Sequence, residues 1–382
     1  MSKKLDYFTE SVIREMTRLS EEQSAVNLSQ GMPDFEPPAE LVNAAVNALM
    51  KGHNQYPITW GQKSLRDAIA RKLKTHNGID ADPDKNITVT CGATEAVTAA
   101  VLALTDPGDG IVVTDPFYEN YVPDAILAGA SLTYVPFEGK ELRLDPERLK
   151  SAMEERPKLI MINTPNNPTG RVLSRSELGL VADLSEEFDC IVITDEIYEH
   201  ITYDGKQHVS LASIGNMSER TVTVSGASKT YCVTGWRVGW AVANDRLSNA
   251  IRKIHDYLTI GAPTPLQEAL VTGLKFPMSY YSELAEMYAM KRKIMMRILE
   301  KCGIDFNPPE GAYYILADAP EKFSDGEEFA RFLLEKAGIA VLPAAALYHD
   351  KKLGARKIRL AFCKKDETMR ETQRRLAQVD WN

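Results

Sequence analysis

The sequence predicts an α/β protein: a large domain with a mostly parallel sheet flanked by helices, plus a smaller α+β domain. Apolar, β-branched runs recur at residues 87–90, 111–114, 159–163, 191–194 and 222–224, and each runs into a loop of small or polar residues. Such runs suit strands buried in a sheet. Nearer the C-terminus, GAYYILAD, FARFLLEKAGIAVLP and KIRLAFC alternate strand and helix patterns. A chain of 382 residues exceeds one average domain and has room for one large and one small unit.

Taken in order, the chain opens with a polar amphipathic segment, then NLSQGMPDFEPP, a turn rich in Gly and Pro, then a helix over 39–50. In HNQYPITWGQKSLRDAIARKL, Tyr56 lies in a loop, and Ser64 with Asp67 has the spacing of a capping box before a helix with Leu65, Ala68, Ile69 and Leu73 on its apolar face. NITVTCGATEAVTAAVLAL reads as a strand, the small loop Gly92-Ala93-Thr94, and a helix. That junction aims free N–H groups and the positive end of a helix dipole at an anion. The strand at 111–114 ends in DPFYENY, placing Phe117 and Tyr118 where ligands of open α/β sheets gather. LIMINTPNNPTG repeats the strand-then-loop pattern, and Ser174 with Glu177 caps the next helix, which runs to about Phe188. IVITDEIYEH puts Asp195 at the carboxyl end of another buried strand, where a carboxylate needs a charged or hydrogen-bonded partner. A helical stretch over 246–274 is interrupted by GAPTP. A long amphipathic helix then covers 277–302, with a methionine stripe expected to face the core.

Composition excludes several function classes. Hydrophobic content of 44% with 26% charged residues is an ordinary soluble balance. A net charge of -8, with no basic block, argues against nucleic-acid binding. The N-terminus lacks the apolar core of a signal segment and no apolar run approaches bilayer length, so the expectation is a cytoplasmic protein with no membrane partner. Cys91, Cys190, Cys232, Cys302 and Cys363 are scattered, with no C-x-x-C pair, which predicts free thiols and no zinc site. Cys232 is expected to be a small buried filler. The six histidines are dispersed, and the spacing of the nearest pair, His200 and His208, does not repeat on one helix face, so no metal is expected.

The most informative stretch is TVTVSGASKTYCVTGWRVGW, residues 221–240. An alternating strand gives way to Ser225, Gly226, Ala227 and Ser228, small residues that let a bulky ligand approach Lys229. Arg237 follows, with Gly235 and Gly239 leaving its backbone uncrowded. Desolvation and a nearby cation lower a lysine's pKa and make it a nucleophile.

From Gly226 to Gly239 this stretch resembles the cofactor-lysine signature of the class I/II aminotransferases, pyridoxal-phosphate enzymes of the aspartate-aminotransferase fold, fold type I. The resemblance covers essentially the whole chain, with the family's motifs in the family's order. It implies pyridoxal 5'-phosphate bound to Lys229, which then moves a proton on the substrate, and Asp195 paired with the protonated ring nitrogen. It implies a phosphate cup of Ala93, Thr94, Ser228 and Arg237, and Tyr118 over the ring with Phe117 as the alternative. Asn167 and Tyr198 would meet the ring oxygen, Gly31 and Arg359 the substrate carboxylate, and Asn167 would also belong to the substrate-binding set. Tyr56 would reach the phosphate of a partner subunit, which implies a homodimer with shared active sites. The implied domains are 1–45 joining the small domain, 46–276 binding the cofactor, and 277–382 forming the rest of the small domain. One departure stands at Gly226, where the family often has a serine on the phosphate. A hydroxyl from this loop must then come from Ser225 or Ser228, or be absent.

The implied activity is transfer of an amino group from an L-amino acid (aspartate, aromatic or neutral) to a 2-oxo acid such as 2-oxoglutarate. Stretch 257–265 lacks the arginine that dicarboxylate-specific members often take from the partner, and Arg252 precedes it. The same motifs suit a β-elimination lyase of cysteine-like substrates or an aminocyclopropane-forming enzyme. A third alternative, a ligand-sensing transcription factor on this fold, needs a winged-helix domain, and a first motif at Gly31 leaves no room for one.

Overall fold

The computed structural model describes residues 6, 7 and 10–381; of the polar opening segment, residues 1–5, 8 and 9 lie outside it. Its large sheet contains β1 (Ile87–Thr90), β2 (Gly110–Asp115), β3 (Ser131–Glu138), β4 (Arg143–Leu144), β5 (Leu159–Asn163), β6 (Ile191–Asp195), β7 (Thr221–Gly226) and β8 (Gly239–Val242). The spatial order is β1-β8-β7-β6-β5-β2-β3-β4. The run β7-β6-β5-β2-β3 is parallel, whereas β8 is antiparallel to both neighbours and β4 to β3.

Burial on both faces explains why these strands read as continuous apolar runs. Ile111, Val113, Met161, Ile193 and Val224 face one core with Ala96, Val97 and Leu247 from the helices Gly92–Leu104 and Asp245–Leu258. The alternate residues Val112, Ile160, Ile162 and Val192 face another core with Leu149, Met153, Leu178 and Val181. The second face is covered by the helices Pro146–Glu154 and Arg175–Glu187. The latter carries the expected capping box, with Ser174 and Glu177 each bonding the other's backbone, and it is capped at its far end by Phe188.

A smaller antiparallel sheet contains β9 (Phe306–Asn307), β10 (Tyr314–Asp318), β11 (Leu342–Pro343) and β12 (Lys357–Ala361), ordered β9-β10-β12-β11. The helix Met278–Lys301 packs on it through Tyr288, Met295, Ile298 and Leu299. The methionine stripe faces the core only in part: Met295 is fully buried, but Met290 is 61% exposed. The N-terminal segment also packs here, with Val26–Asn27 parallel to Ile339–Ala340 and Met16 of the helix Val12–Glu22 against Leu316, Leu334 and Leu342.

One local expectation fails. The helix Lys63–Lys72 starts earlier than the Ser64/Asp67 pattern suggests, with Gln62 as its N-cap. Ser64 instead donates to Glu268 across to the helix Thr264–Gly273, and Asp67 pairs with Lys63. Tertiary partners took both side chains away from local capping.

Register sets the position of the site. Asn163 is level with Asp195, and Asp195 with Val224, so β5 and β6 end together while β7 runs two residues further, to Gly226. Gly226 and Gly239 pair across β7 and β8, and a Cβ on Gly239 would overlap the backbone of Gly92 and Ala93. The bare strand lets the helix start lie directly on the sheet. Gly239→Ala is expected to cost about 1–3 kcal/mol by overpacking a backbone that has no rotamer to yield. Urea denaturation of the variant with an unchanged midpoint would contradict this.

Candidate active site

Above the ends of β5, β6 and β7 lies a cavity of about 430 Å³. Its walls include Gly31, Ala93, Thr94, Tyr118, Asn167, Asp195, Tyr198, Ser228, Lys229, Arg237 and Arg359. The sequence-predicted residues therefore converge on one space, except Tyr56, which is 80% exposed and lies outside it. Tyr118 lines the cavity, while Phe117 turns into the core against Tyr134. Of the two candidate serines, Ser228 lines the cavity, and Ser225 donates to Glu199 at 2.6 Å on the other side.

One wall is built for an anion. The helix Gly92–Leu104 has no side-chain cap, so its first-turn N–H groups stay open beside Ala93 and Thr94. Arg237 sits against the same turn with left-handed backbone (φ 53°), bonding the Thr234 carbonyl at 3.0 Å. A Cβ on Gly92 would overlap its guanidinium. Neither contact neutralises the cation, so open amides, a hydroxyl (Ser228) and a guanidinium share one corner. That donor set suits a phosphate.

Next to this corner, Lys229 reaches the Gly31 carbonyl at 3.4 Å, and Tyr313 donates to the same carbonyl at 2.9 Å. Burial, with the Arg237 charge adding to it, lowers the Lys229 pKa to about 8. Both causes are those expected from the small-residue turn. The Asp195 carboxylate is buried, and that burial pushes its pKa up against the opposing pull of two donors, the Tyr121 hydroxyl at 2.9 Å and the Ile197 N–H at 3.2 Å.

Across the cavity Arg359 is fully buried. Its hydrogen-bond partners are neutral: the Asn167 side-chain oxygen at 2.8 Å and the Ser29 carbonyl at 2.6 Å, while its Nε has no partner. The Tyr314 ring lies 4.3 Å from its guanidinium carbon, and the Tyr314 hydroxyl meets that of Tyr198 at 3.1 Å. A buried cation with only neutral partners requires an anion.

Sequence reasoning missed Tyr121, Asn163 and Tyr314. Asn163 fixes the floor by donating to the Asp195 carbonyl at 2.8 Å and accepting from the Asn167 N–H at 2.7 Å. Its place at the end of a strand level with Asp195 was the available signal. Tyr121 follows Tyr118 at one helical turn, and Tyr314 announces itself only through the tertiary pairing. Three histidines belong to a further, partly buried network invisible in the spacing: the His76 ring lies tilted against buried His200 with centroids 4.1 Å apart, and His208 meets Glu196 at 2.8 Å. A cation is already in place there, because the Lys72 ammonium bonds both Glu199 and Asn77. Cys232, expected as a buried filler, is only partly buried and points its thiol at the Tyr288 hydroxyl, 3.8 Å away.

A nucleophilic amine, a strand-end carboxylate and separate seats for two anions suit an enzyme that holds an anionic carbonyl cofactor beside a carboxylate substrate. Residues 23–376 match the family described as aminotransferase class I and II. The chain is 37% identical to a probable N-succinyldiaminopimelate aminotransferase of Mycobacterium tuberculosis over 97% of this chain and 96% of that one. It is 35% identical to the methionine aminotransferase of Escherichia coli, covering 98% and 97% of the two chains. Among solved structures, the N-succinyldiaminopimelate aminotransferase from Mycobacterium tuberculosis superposes with a TM-score of 0.96 at 36% identity, covering 99% of each chain. The aspartate aminotransferase from Thermus thermophilus with maleate gives 0.92 at 30% identity, covering 100% of this chain and 99% of that one. The chain belongs to the class I and II aminotransferases: it is a pyridoxal-phosphate-dependent enzyme of amino-group transfer.

A lowered lysine pKa has a direct kinetic consequence. The neutral amine is the nucleophile, so covalent capture of pyridoxal phosphate by cofactor-free protein should accelerate with pH and level off with a midpoint near 8. Stopped-flow absorbance measures it. A midpoint near about 10.4, the value of an unperturbed lysine, would contradict the environment described.

Proposed function

We propose that the enzyme transfers the amino group of an L-amino acid, of the aspartate, aromatic or neutral class, to a 2-oxo acid such as 2-oxoglutarate. The observation that carries this is buried Arg359, lacking an acidic partner, in the same cavity as the low-pKa amine of Lys229. An α-carboxylate held on Arg359, with the Gly31 segment opposite, sets the substrate's α-carbon toward that amine.

The roles follow from the chemistry of each group. The Ala93 and Thr94 amides, Ser228 and Arg237 hold the phosphate. Tyr118 would cover the ring, Asn167 and Tyr198 would meet its oxygen, and Asp195 would keep its nitrogen protonated. When bound, the cofactor supplies a carbonyl for amine capture and an electron sink for the α-carbon charge. Lys229 Nζ takes the α-proton and returns it elsewhere on the same face, and a pKa near 8 lets it do both near neutrality.

We further infer a homodimer in which Tyr56 of each chain serves the other's phosphate. Supporting this, Tyr56, Ile58, Tyr257 and Ile260 are exposed apolar side chains near a contact between Pro57 and Gly261, and Val46 and Met50 are exposed on the helix Ala39–Met50. A monomer by sedimentation equilibrium would refute it. The domain division is 1–45 with 277–382, and 46–276; packing of the N-terminal helix on the small sheet supports it. A cytoplasmic location suits the five unpaired cysteines, and among the described residues no helix is long and apolar enough to cross a membrane.

Absorption spectra of the loaded enzyme with single amino acids, before any 2-oxo acid is added, identify the donors. Loss of the lysine-bound band with a matching yield of 2-oxo acid is expected. Ammonia release with the band intact would contradict transfer. Lys229→Ala should fold normally but lose at least about 10³-fold in turnover, and Asp195→Asn about 10²–10³-fold in kcat with the cofactor still bound. Wild-type rates in either variant would remove the assigned role.

A further inference from the structure

Tyr121 opens the helix Tyr121–Ala128, which follows the turn carrying Tyr118. Its ring is 2% exposed and packs edge-on against Tyr118 with centroids 5.7 Å apart. From there the hydroxyl donates to Asp195 Oδ2 at 2.9 Å. The other carboxylate oxygen takes the Ile197 N–H at 3.2 Å. The Asp195 carboxylate, itself 8% exposed, is thus fixed by one donor on each oxygen while its group still lines the cavity. The Ile197 amide is part of Asp195's own turn, so Tyr121 is the group that ties the carboxylate to a separate element.

We propose that Tyr121 is a positioning residue for the transfer reaction: its hydroxyl aims the Asp195 carboxylate and keeps it charged, and so keeps the cofactor's ring nitrogen protonated. A carboxylate in a buried setting is costly to hold ionised, and a hydrogen bond donated to the charged form offsets that cost. The same bond limits rotation of the carboxylate about its terminal torsion, which is otherwise broad. Charged and titratable neighbours of the pair are Lys229, Glu196, Tyr118, Tyr198 and Asp124. Lys229 is the one cation among them, so Tyr121 does work that no other side chain on its element duplicates.

This inference rests on pyridoxal phosphate occupying the cavity. Tyr121→Phe removes one oxygen and keeps the ring against Tyr118. Holoenzyme loaded with cofactor ¹⁵N-labelled at the ring is observed by NMR at fixed pH, alongside equilibrium cofactor affinity. The ring nitrogen is expected to shift toward its unprotonated value in the variant, and cofactor affinity to fall about tenfold, the scale of one charge-assisted hydrogen bond. kcat should fall while KM changes little, since the amino-acid carboxylate seat on Arg359 is untouched. An unchanged nitrogen shift and affinity would reduce Tyr121 to packing and overturn the proposal. If the phenylalanine variant does not fold, 3-fluorotyrosine at position 121 keeps the shape and alters only the donor's acidity; a nitrogen shift that ignores the substitution would equally overturn it. Failure of wild-type protein to take up the cofactor at all would refute the site assignment instead, and the two failures are distinguishable.

Discussion

Everything at this site depends on burying an amine, a carboxylate and a guanidinium around one cavity without letting them neutralise one another. Lys229 bonds a carbonyl, Asp195 a phenol and an amide, and Arg359 an amide oxygen and a carbonyl. Each charge is held by neutral dipoles, which orient it without cancelling it. Had Asp195 paired with Lys229, the amine would carry a proton and neither group would be available to a ligand. The strand register prevents this by ending β6 level with β5 and short of the turn that carries the lysine.

The small residues serve the same constraint. Gly239 lets the uncapped start of the helix Gly92–Leu104 lie on the sheet, and Gly92 admits the Arg237 guanidinium to that start. Gly31 leaves space for the Tyr314 hydroxyl, which a Cβ would overlap. Backbone is thus brought within reach of a ligand from three directions. Ser225 shows the limit of reading the turn as a string of interchangeable hydroxyls. It belongs to the network of Glu199 and Lys72 beneath the sheet end, whereas Ser228, one helical step before the lysine, opens to the cavity.

Most of the fold was legible because the pattern that specifies it is local. Two-sided burial makes strands such as 159–163 and 191–195 apolar up to the polar residues at their site-facing ends, and the Ser174/Glu177 cap marks its helix without tertiary help. The candidate site was legible where chemistry and strand ends coincide, as at Asp195 and Lys229, or where the family resemblance supplied a role, as at Arg359 and Asn167. Residues defined by a distant partner were not. Tyr121 and Tyr314 look like ordinary aromatics until Asp195 and Tyr198 are placed beside them. Ser64 failed in the opposite sense, since its local pattern suggested a cap and Glu268, far along the chain, claimed the hydroxyl.

The central claim is that Lys229 is the amine that bonds the cofactor, and trapping that bond tests it most directly. Borohydride reduction of the loaded enzyme, followed by proteolysis and mass spectrometry, should give one pyridoxyl-modified peptide, with the modification on Lys229. Modification of another lysine, or none under conditions where the cofactor remains bound, would contradict the account.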